Sequence, residues 1–324
     1  MSIGRYARQE ILPEVGTAGQ AKLARAQVMV VGAGGLGCPV LQYLVGAGVG
    51  QIILVDPDIV EESNLHRQPL YRMSDLGRPK VAAARDALYA ANPAVRITAL
   101  NVSLHPDNAP ELVGKVELVI DAADSFAVSY TLSDACQARE TPLISASVLG
   151  QSGYVGGFCG SAPSLRSVFP ELPDDGATCA IAGVLGPAVG VVGSMQAQFA
   201  LRVLLDSNPS PLGQMVTIDL ANLRFGGFNF LGCPEPDEGL RFLAKCMLRD
   251  SDRIIELRSE DEMEHPIVPT AVRMTHEELY KLPASFDQRV VLCCGTGLRA
   301  WRVASLLRAA GHNDLALLAA KACE

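Results

Sequence analysis

Residues 27–37 read Gln27-Val28-Met29-Val30-Val31-Gly32-Ala33-Gly34-Gly35-Leu36-Gly37, an apolar run that leads straight into a glycine-rich turn. Glycines at this spacing allow a tight turn and let backbone approach a phosphate at the start of a helix, where unpaired N–H groups and the helix dipole favour an anion. A second apolar run, Gln51-Ile52-Ile53-Leu54-Val55, ends in Asp56, nineteen residues beyond Gly37. An acid at the end of the second strand can hydrogen-bond a ribose hydroxyl, so this stretch reads as a nucleotide-binding βαβ unit. Taken alone it predicts NAD.

The residues after Asp56 argue for ATP. Asn64-Leu65-His66-Arg67-Gln68 and Gly77-Arg78-Pro79-Lys80 put fixed cations just past the ribose-binding strand. Hydride transfer has no obvious need of them there, whereas a reaction at a phosphate needs charge neutralised where it develops. Solvated surface charge is the plainer account of any single Arg67 or Lys80.

Alternating apolar runs and helical patterns continue to about residue 147. They predict a helix over 79–91, a strand over 95–102, a strand over 117–122, a helix over 126–138 and a strand over 143–148. Such βα alternation builds a doubly wound, mostly parallel α/β sheet with its ligand at the carboxyl ends of the strands, where Gly32, Asp56 and Asp124 fall. After Gly150 come glycine-rich strands, then an irregular stretch with three prolines over 161–176 that reads as a crossing loop. A helix over 187–205 and strands near 215–220 and 223–230 come next, an added antiparallel portion. The polar breaker run Pro234 to Gly239 marks a domain boundary, giving units of 1–238 and 239–324. In the second, strands are predicted over 253–257 and 290–293 and a helix over 301–310, with Cys294-Gly295-Thr296-Gly297-Leu298-Arg299 between the last two.

The first unit resembles the ATP-dependent activating enzymes of the MoeB/ThiF type, relatives of the ubiquitin-activating enzymes. The resemblance rests on Arg5-Tyr6-Ala7-Arg8-Gln9, the glycine loop, Asp56, the Asn64 to Gln68 segment, Lys80, Asp121-Ala122-Ala123-Asp124 and Thr178-Cys179, in the family's order over roughly the first 235 residues. It implies a Rossmann-like fold and ATP-dependent adenylation of the C-terminal glycine of a small β-grasp, ubiquitin-like sulfur-carrier protein ending in Gly-Gly. ATP contacts then fall to Gly32, Gly34, Gly35, Gly37, Asp56, Asn64, Arg67, Gln68 and Lys80, with Asp124 as the carboxylate on the Mg2+ side. Asp124 is equally a strand-end turn residue in form, and Asn64 or Gln68 can cap a neighbouring turn. Arg8 matches an arginine that in family dimers crosses into the partner's ATP site, so the resemblance implies a homodimer; a surface arginine is the alternative. Cys179 matches a loop cysteine that bonds covalently to the carrier, against the plainer reading of a small buried hydrophobe.

The spacing Cys-x-x-Gly-x-Arg between a strand and a helix resembles the active loop of rhodanese domains, the sulfurtransferases. Its glycines can turn N–H groups toward one sulfur, so Cys294, Gly297 and Arg299 read as a persulfide loop that takes sulfur from a persulfide donor and makes a thiocarboxylate on the carrier. A buried strand-end thiol is the alternative for Cys294, and Cys293 can pair with its neighbour. Cys38 reads as a packing residue. Glu256-Leu257-Arg258 and His265-Pro266-Ile267 echo the family's fold more than its chemistry.

Departures accompany the resemblance. Ser125 and Ser129 stand where many members carry asparagine and arginine, and the rhodanese-like unit is short. The family's structural zinc pairs correspond to Ser164-Leu165-Arg166-Ser167 and Cys233-Pro234-Glu235-Pro236, which lack three of four thiolates, so no zinc is expected. A non-catalytic carrier-binding scaffold is therefore a rival, as is a dinucleotide-dependent oxidoreductase.

The 324 residues suit about two domains, and 49% hydrophobic against 19% charged residues describes a globular chain. A net charge of −8 argues against general nucleic-acid binding. Gly176 to Ala200 is free of charge and long enough to span a bilayer, but Gly183, Gly186-Pro187, Gly190 and Gly193 interrupt it and Gln196 and Gln198 follow, so a loop and a buried helix are expected instead of a membrane span. The N-terminus shows no apolar signal core, which predicts a cytoplasmic protein, and nine irregularly spaced cysteines are expected to be reduced thiols.

Overall fold

The structure, a computed structural model, describes residues 4–172, 183–237, 239–279 and 288–320. Two short helices, α1 (Ala7–Glu10) and α2 (Gly16–Leu23), precede β1 (Gln27–Val31), α3 (Gly37–Ala47) and β2 (Gln51–Val55). Then come α4 (Lys80–Ala91), β3 (Arg96–Leu100), α5 (Ala109–Val113), β4 (Leu118–Asp121), α6 (Phe126–Ala138) and β5 (Leu143–Leu149). After β6 (Ser152–Phe158) the expected crossing loop contains one turn of helix, α7 (Leu165–Val168). Helix α8 (Gly186–Leu204), β7 (Gln214–Asp219) and β8 (Arg224–Asn229) complete the first unit.

Its eight strands lie in the order β3-β2-β1-β4-β5-β6-β7-β8. The first five are parallel, and β6, β7 and β8 add the antiparallel portion. Strand order reverses beside β1, so the crevice between the ends of β1 and β4 is where an open α/β sheet receives its ligand. Near-continuous Val and Ile in β1, β2 and β4 follow from burial on both faces.

Within the charge-free run, the residues from Gly186 onward belong to α8, which buries Ala188, Val189, Val192, Gln196, Ala197 and Ala200 against the sheet. Gln196 is wholly buried, and its Nε2 donates to the carbonyls of Asp121 (2.6 Å) and Ile144 (3.1 Å), pinning the helix across the ends of β4 and β5. Among the described residues no helix is long and apolar enough to cross a membrane.

The second unit holds β9 (Arg241–Phe242), β10 (Arg253–Glu256), β11 (Val272–Arg273), α9 (His276–Leu279), β12 (Val290–Cys294), α10 (Leu298–Ala309) and β13 (Leu315–Ala319). Five parallel strands run in the order β11-β10-β12-β13-β9. Most ends shift by a residue or two from the sequence reading, and two shifts bear on the Cys294 loop. Pairing of Cys294 with Ala319 carries β12 one residue further than 293, and α10 starts at Leu298, three residues before Trp301, because Gly297 caps it in the left-handed region at φ +87°.

Candidate active site

Three of the four loop glycines sit where a side chain would collide. Gly32 has φ +100°, its N–H donates to the Val55 carbonyl at 2.8 Å, and a Cβ there would lie 2.5 Å from the Ala122 carbonyl oxygen. At Gly37, the first residue of α3, a Cβ would lie 2.0 Å from the Gly32 carbonyl oxygen. At Gly35 it would meet Val189 at 2.7 Å, whereas at Gly34 the nearest atom is Gln68 Nε2 at 3.7 Å. Gly34 is thus the loop glycine that faces open space under a polar side chain.

Asp56 locks the loop from the neighbouring strand. Its Oδ2 accepts the Ala33 N–H at 2.7 Å and its Oδ1 the Asp58 N–H at 2.8 Å, and the Tyr71 hydroxyl donates to the Ala33 carbonyl at 2.7 Å. Burial pushes the Asp56 carboxyl up, opposed by the nearby Lys80 charge and the two N–H groups. Cys38 lies wholly buried behind the loop, its thiol pushed up to about 12 by burial, so it packs as expected.

The Asn64 to Gln68 segment folds over the loop. Asn64 Oδ1 accepts from Arg67 (2.9 Å) and Gln68 Nε2 (3.3 Å), and Arg67 also donates to the Ser63 carbonyl at 3.1 Å. Thus Asn64 does brace its own turn, and in doing so holds Arg67 against Gly35, where a Cβ would sit 3.7 Å from Arg67 Cγ. Gln68 is 2% exposed and its Oε1 has no hydrogen-bond donor among the described residues, leaving an acceptor beside Gly34 for a bound ligand. Lys80, the first residue of α4, is 5% exposed; its Nζ donates to Asp58 Oδ2 at 2.7 Å. Sequence reasoning misses Asp58 and Tyr71, although Asp58 follows Asp56 at the two-residue spacing of one strand face.

Across the crevice, the end of β4 packs on Gly32. Asp121, fully buried, accepts the Ser145 hydroxyl at 2.8 Å, the Ala123 N–H at 3.2 Å and a bond from Ser129. Burial nevertheless pushes its carboxyl up to about 6. Ser129 therefore turns toward a carboxylate and does not stand in for the family's phosphate arginine. The strand-end turn role open to Asp124 belongs to Asp121; Asp124 is exposed and makes no hydrogen bond among the described residues, a carboxylate free to take a cation.

Arg8 does not join this group. Helix α1 packs at the far end of α3, where the Tyr6 ring fills the space beside Gly48 and Gln9 donates to the Ala47 carbonyl at 3.1 Å. An eleven-residue helix, about 16 Å long, separates that end from the glycine loop of the same chain. Cys179 and Thr178 lie outside the described residues.

The zinc positions hold something else. Glu235 accepts the Ser164 N–H and hydroxyl, both at 2.6 Å, and Arg166 pairs with Asp134 at 2.6 and 2.9 Å. One cysteine, two serines and a proline do not fit tetrahedral thiolate ligation, and a carboxylate joins the two segments directly.

In the second sheet, Cys294 closes β12 with its side chain 1% exposed. Its Sγ accepts the N–H groups of Gly297 (3.1 Å) and Ala300 (3.4 Å), the arrangement that the loop spacing predicts for a stabilised sulfur anion. A Cβ at Gly297 would strike the Phe242 ring at 2.5 Å. Cys293 points to the opposite face, where burial and then Glu256 push its thiol up, and both cysteines are free. Glu256 and Arg258 form a buried bidentate pair at 2.9 and 2.8 Å that ties the strand end to the following loop. Arg299 is engaged as well, by Glu262 at 2.6 and 2.9 Å and by the Leu257 carbonyl at 3.2 Å.

Comparison with known proteins finds two family models on the chain. The ThiF family model matches residues 6–239, and the rhodanese-like domain model matches residues 242–320. The sulfur carrier protein adenylyltransferase of Thermus thermophilus is 45% identical over 231 residues, 69% of this chain and 85% of that protein. The adenylyltransferase and sulfurtransferase MOCS3 of Culex quinquefasciatus is 35% identical over 315 residues, 94% of this chain and 70% of its own length. The probable adenylyltransferase/sulfurtransferase MoeZ of Mycobacterium tuberculosis is 31% identical, with 96% and 90% covered. Among solved structures, E. coli MccB with ATP shares the fold at TM-score 0.62 and 21% identity, over 70% of this chain and 72% of that one. The chain belongs to the ThiF family and carries a rhodanese-like domain behind its ThiF unit.

Proposed function

We propose that the chain uses ATP to adenylate the C-terminal glycine carboxylate of a small ubiquitin-like sulfur-carrier protein ending in Gly-Gly, and that Cys294 supplies the sulfur that converts the adenylate to a thiocarboxylate. The observation that carries the first half is a buried lysine and a braced arginine, Lys80 and Arg67, set at a glycine loop beneath an unsatisfied Gln68 amide oxygen. Attack of the carrier carboxylate on the α-phosphate brings two anions together, and fixed cations in a low-dielectric crevice lower that barrier. Asp56 takes the ribose hydroxyls, Gly34 and its neighbours offer N–H groups to phosphate, and Asn64 and Gln68 orient phosphate oxygens through their side-chain amide N–H groups, while Gln68 Oε1 accepts from a ligand hydroxyl. Asp124 would hold magnesium through ATP, and the bound ion would neutralise charge on the pyrophosphate.

The second half rests on Sγ of Cys294 receiving two backbone N–H groups. Its thiolate attacks the outer sulfur of a persulfide donor, which leaves as a thiolate; the resulting persulfide attacks the carrier adenylate and expels AMP to give an acyl disulfide, and a second thiol then attacks Cys294 Sγ, releasing the thiocarboxylate and leaving a disulfide that a cellular dithiol reduces. Cys179 takes a covalent role toward the carrier. Arg8, remote from its own glycine loop, serves the site of a second copy in a homodimer. The chain works as a reduced, cytoplasmic, zinc-free protein in two units, 1–238 and 239–324.

Purified protein, carrier, ATP and labelled pyrophosphate test the adenylation. Exchange that depends on the carrier is expected; its absence with every Gly-Gly carrier offered would leave a binding scaffold, the reading that Ser129 favours by turning inward. For the sulfur half, mass spectrometry after donor treatment should find one added sulfur on the Cys294 peptide, retained in Cys293→Ser and lost in Cys294→Ser with pyrophosphate exchange intact. Sulfur on Cys293 would refute the assignment.

A further inference from the structure

The segment after β10 lies beside the Cys294 loop: the Leu257 N–H donates to the Cys293 carbonyl at 2.8 Å, and the Leu257 carbonyl accepts from Arg299. From there Glu260, Asp261, Glu262 and Glu264 stand exposed within five residues, and two guanidiniums reach them, Arg273 and Arg299. Arg299 is the cation of the first turn of α10, five residues past the nucleophile. Both of its terminal nitrogens are taken by Glu262.

Exposed ion pairs are usually weak because two long side chains must be held in one geometry. Here each partner is held by backbone already. Glu262 Oε2 accepts the Ser259 N–H at 3.0 Å and Arg299 donates to the Leu257 carbonyl, so the bidentate pair forms from preplaced groups. Arg299 together with the Ser259 N–H holds the Glu262 carboxyl down at about 2, so the glutamate stays charged wherever the enzyme works.

We propose that Glu262 sets the donor specificity of this loop: by neutralising Arg299 it turns the loop away from thiosulfate and toward sulfur borne on a thiol as a persulfide. This rests on the reading of Cys294 as the sulfur acceptor. Both donors react by the same exchange, in which the Cys294 thiolate forms a bond to the outer sulfur and the donor S–S bond breaks. A persulfide leaves as a thiolate, which takes the proton given up by the Cys294 thiol, and no oxidant or reductant is consumed. Thiosulfate instead must bring a dianion to a thiolate and release sulfite, also a dianion, and that charge needs an uncommitted cation. Four carboxylates beside the loop, with the Arg299 guanidinium occupied, repel it, while a thiol-borne persulfide brings at most one charge at its sulfur.

The test uses the full-length chain with thiosulfate and cysteine persulfide as donors, reading the rate of sulfur loading on Cys294 by mass spectrometry. Glu262→Gln should raise the thiosulfate rate at least about fivefold and leave the cysteine persulfide rate within about twofold. In Glu262→Gln with Arg299→Gln the gain should disappear, because the freed guanidinium is its cause. Glu262→Asp, which keeps the charge, should keep the wild-type preference. An unchanged thiosulfate rate in a normally loading Glu262→Gln protein would overturn the proposal, and so would an equal rise for both donors, which would indicate a loosened loop. Failure of the unaltered chain to load from either donor would overturn the sulfurtransferase reading itself, and this proposal with it.

Discussion

Lys80→Met separates catalysis from stability at the candidate nucleotide site. Methionine keeps the apolar stem that fills the start of α4 and removes only the charge. The ion-pair partner, Asp58, has a side chain 63% exposed, so it stays hydrated when the ammonium is gone and no unpaired charge is left in the interior. Stability should therefore fall by about 1 kcal/mol or less, a shift of roughly 2–4 °C in the midpoint of a unit this size. Lys80 itself is 5% exposed, in a setting where a charge is poorly screened. Removing such a contact from a developing phosphoryl charge costs on the order of 100-fold in rate, about 2.7 kcal/mol, with ATP affinity reduced less. The assay is pyrophosphate exchange with purified carrier, alongside calorimetric ATP binding and a thermal scan. Exchange within about threefold of the unaltered protein would refute the electrostatic role.

Three further outcomes rest on the geometry. Gly37→Ala should abolish ATP binding and lower the thermal midpoint sharply, since its Cβ would sit 2.0 Å from a backbone oxygen, while Gly34→Ala should fold normally and weaken only ATP binding. Elemental analysis should find far less than one zinc per chain, and Glu235→Ala, which strips two hydrogen bonds from Ser164, should lower stability by about 1–3 kcal/mol in a chemical-denaturation series. Asp121 titrates near 3.8 when unfolded but near 6 when folded, so the folded state holds its proton longer and stability falls as pH rises between those values, by roughly 3 kcal/mol at most; Asp121→Asn should flatten that limb, and an unchanged profile would remove Asp121 as its source.

What the sequence discloses about this site is what is written in adjacent residues. The glycine spacing and the apolar runs before Gly32 and Asp56 depend on local pattern and stand in the structure where that pattern puts them, and the helix read over 79–91 starts one residue later, at Lys80, with Pro79 as its cap. Strands as short as Arg241–Phe242 and Val272–Arg273 are too brief to show a period. The pairs that set charge at the two sites, and the bond that joins the segments at the zinc-pair positions, are invisible for a different reason: Lys80 with Asp58, Arg299 with Glu262, Ser164 with Glu235. Their partners lie 22, 37 and 71 positions apart, so only the folded chain brings them together.

The same limit hides how the two units meet. On α10 the apolar residues Ala300, Trp301, Val303, Ala304 and Leu307 read as a stripe facing the unit's own sheet. Trp301 does more than that. Its ring lies 5.0 Å from Tyr130 on α6 and 6.2 Å from Phe242 on β9, under the Arg166 guanidinium at 5.7 Å, and its Nε1 donates to Glu171 at 3.3 Å. One buried cluster then runs from Met29 and Val119 of the first sheet through Tyr130 and Trp301 to Leu292 and Leu317 of the second. Arg166 over both rings is itself held by Asp134, so the loop around Ser164 and Arg166 is fastened to α6 and to the helix behind Cys294 by charge and aromatic packing. A rhodanese-like sheet of five short strands thus shares its core with the ThiF unit, which places the Cys294 loop on a framework that the first unit helps to hold.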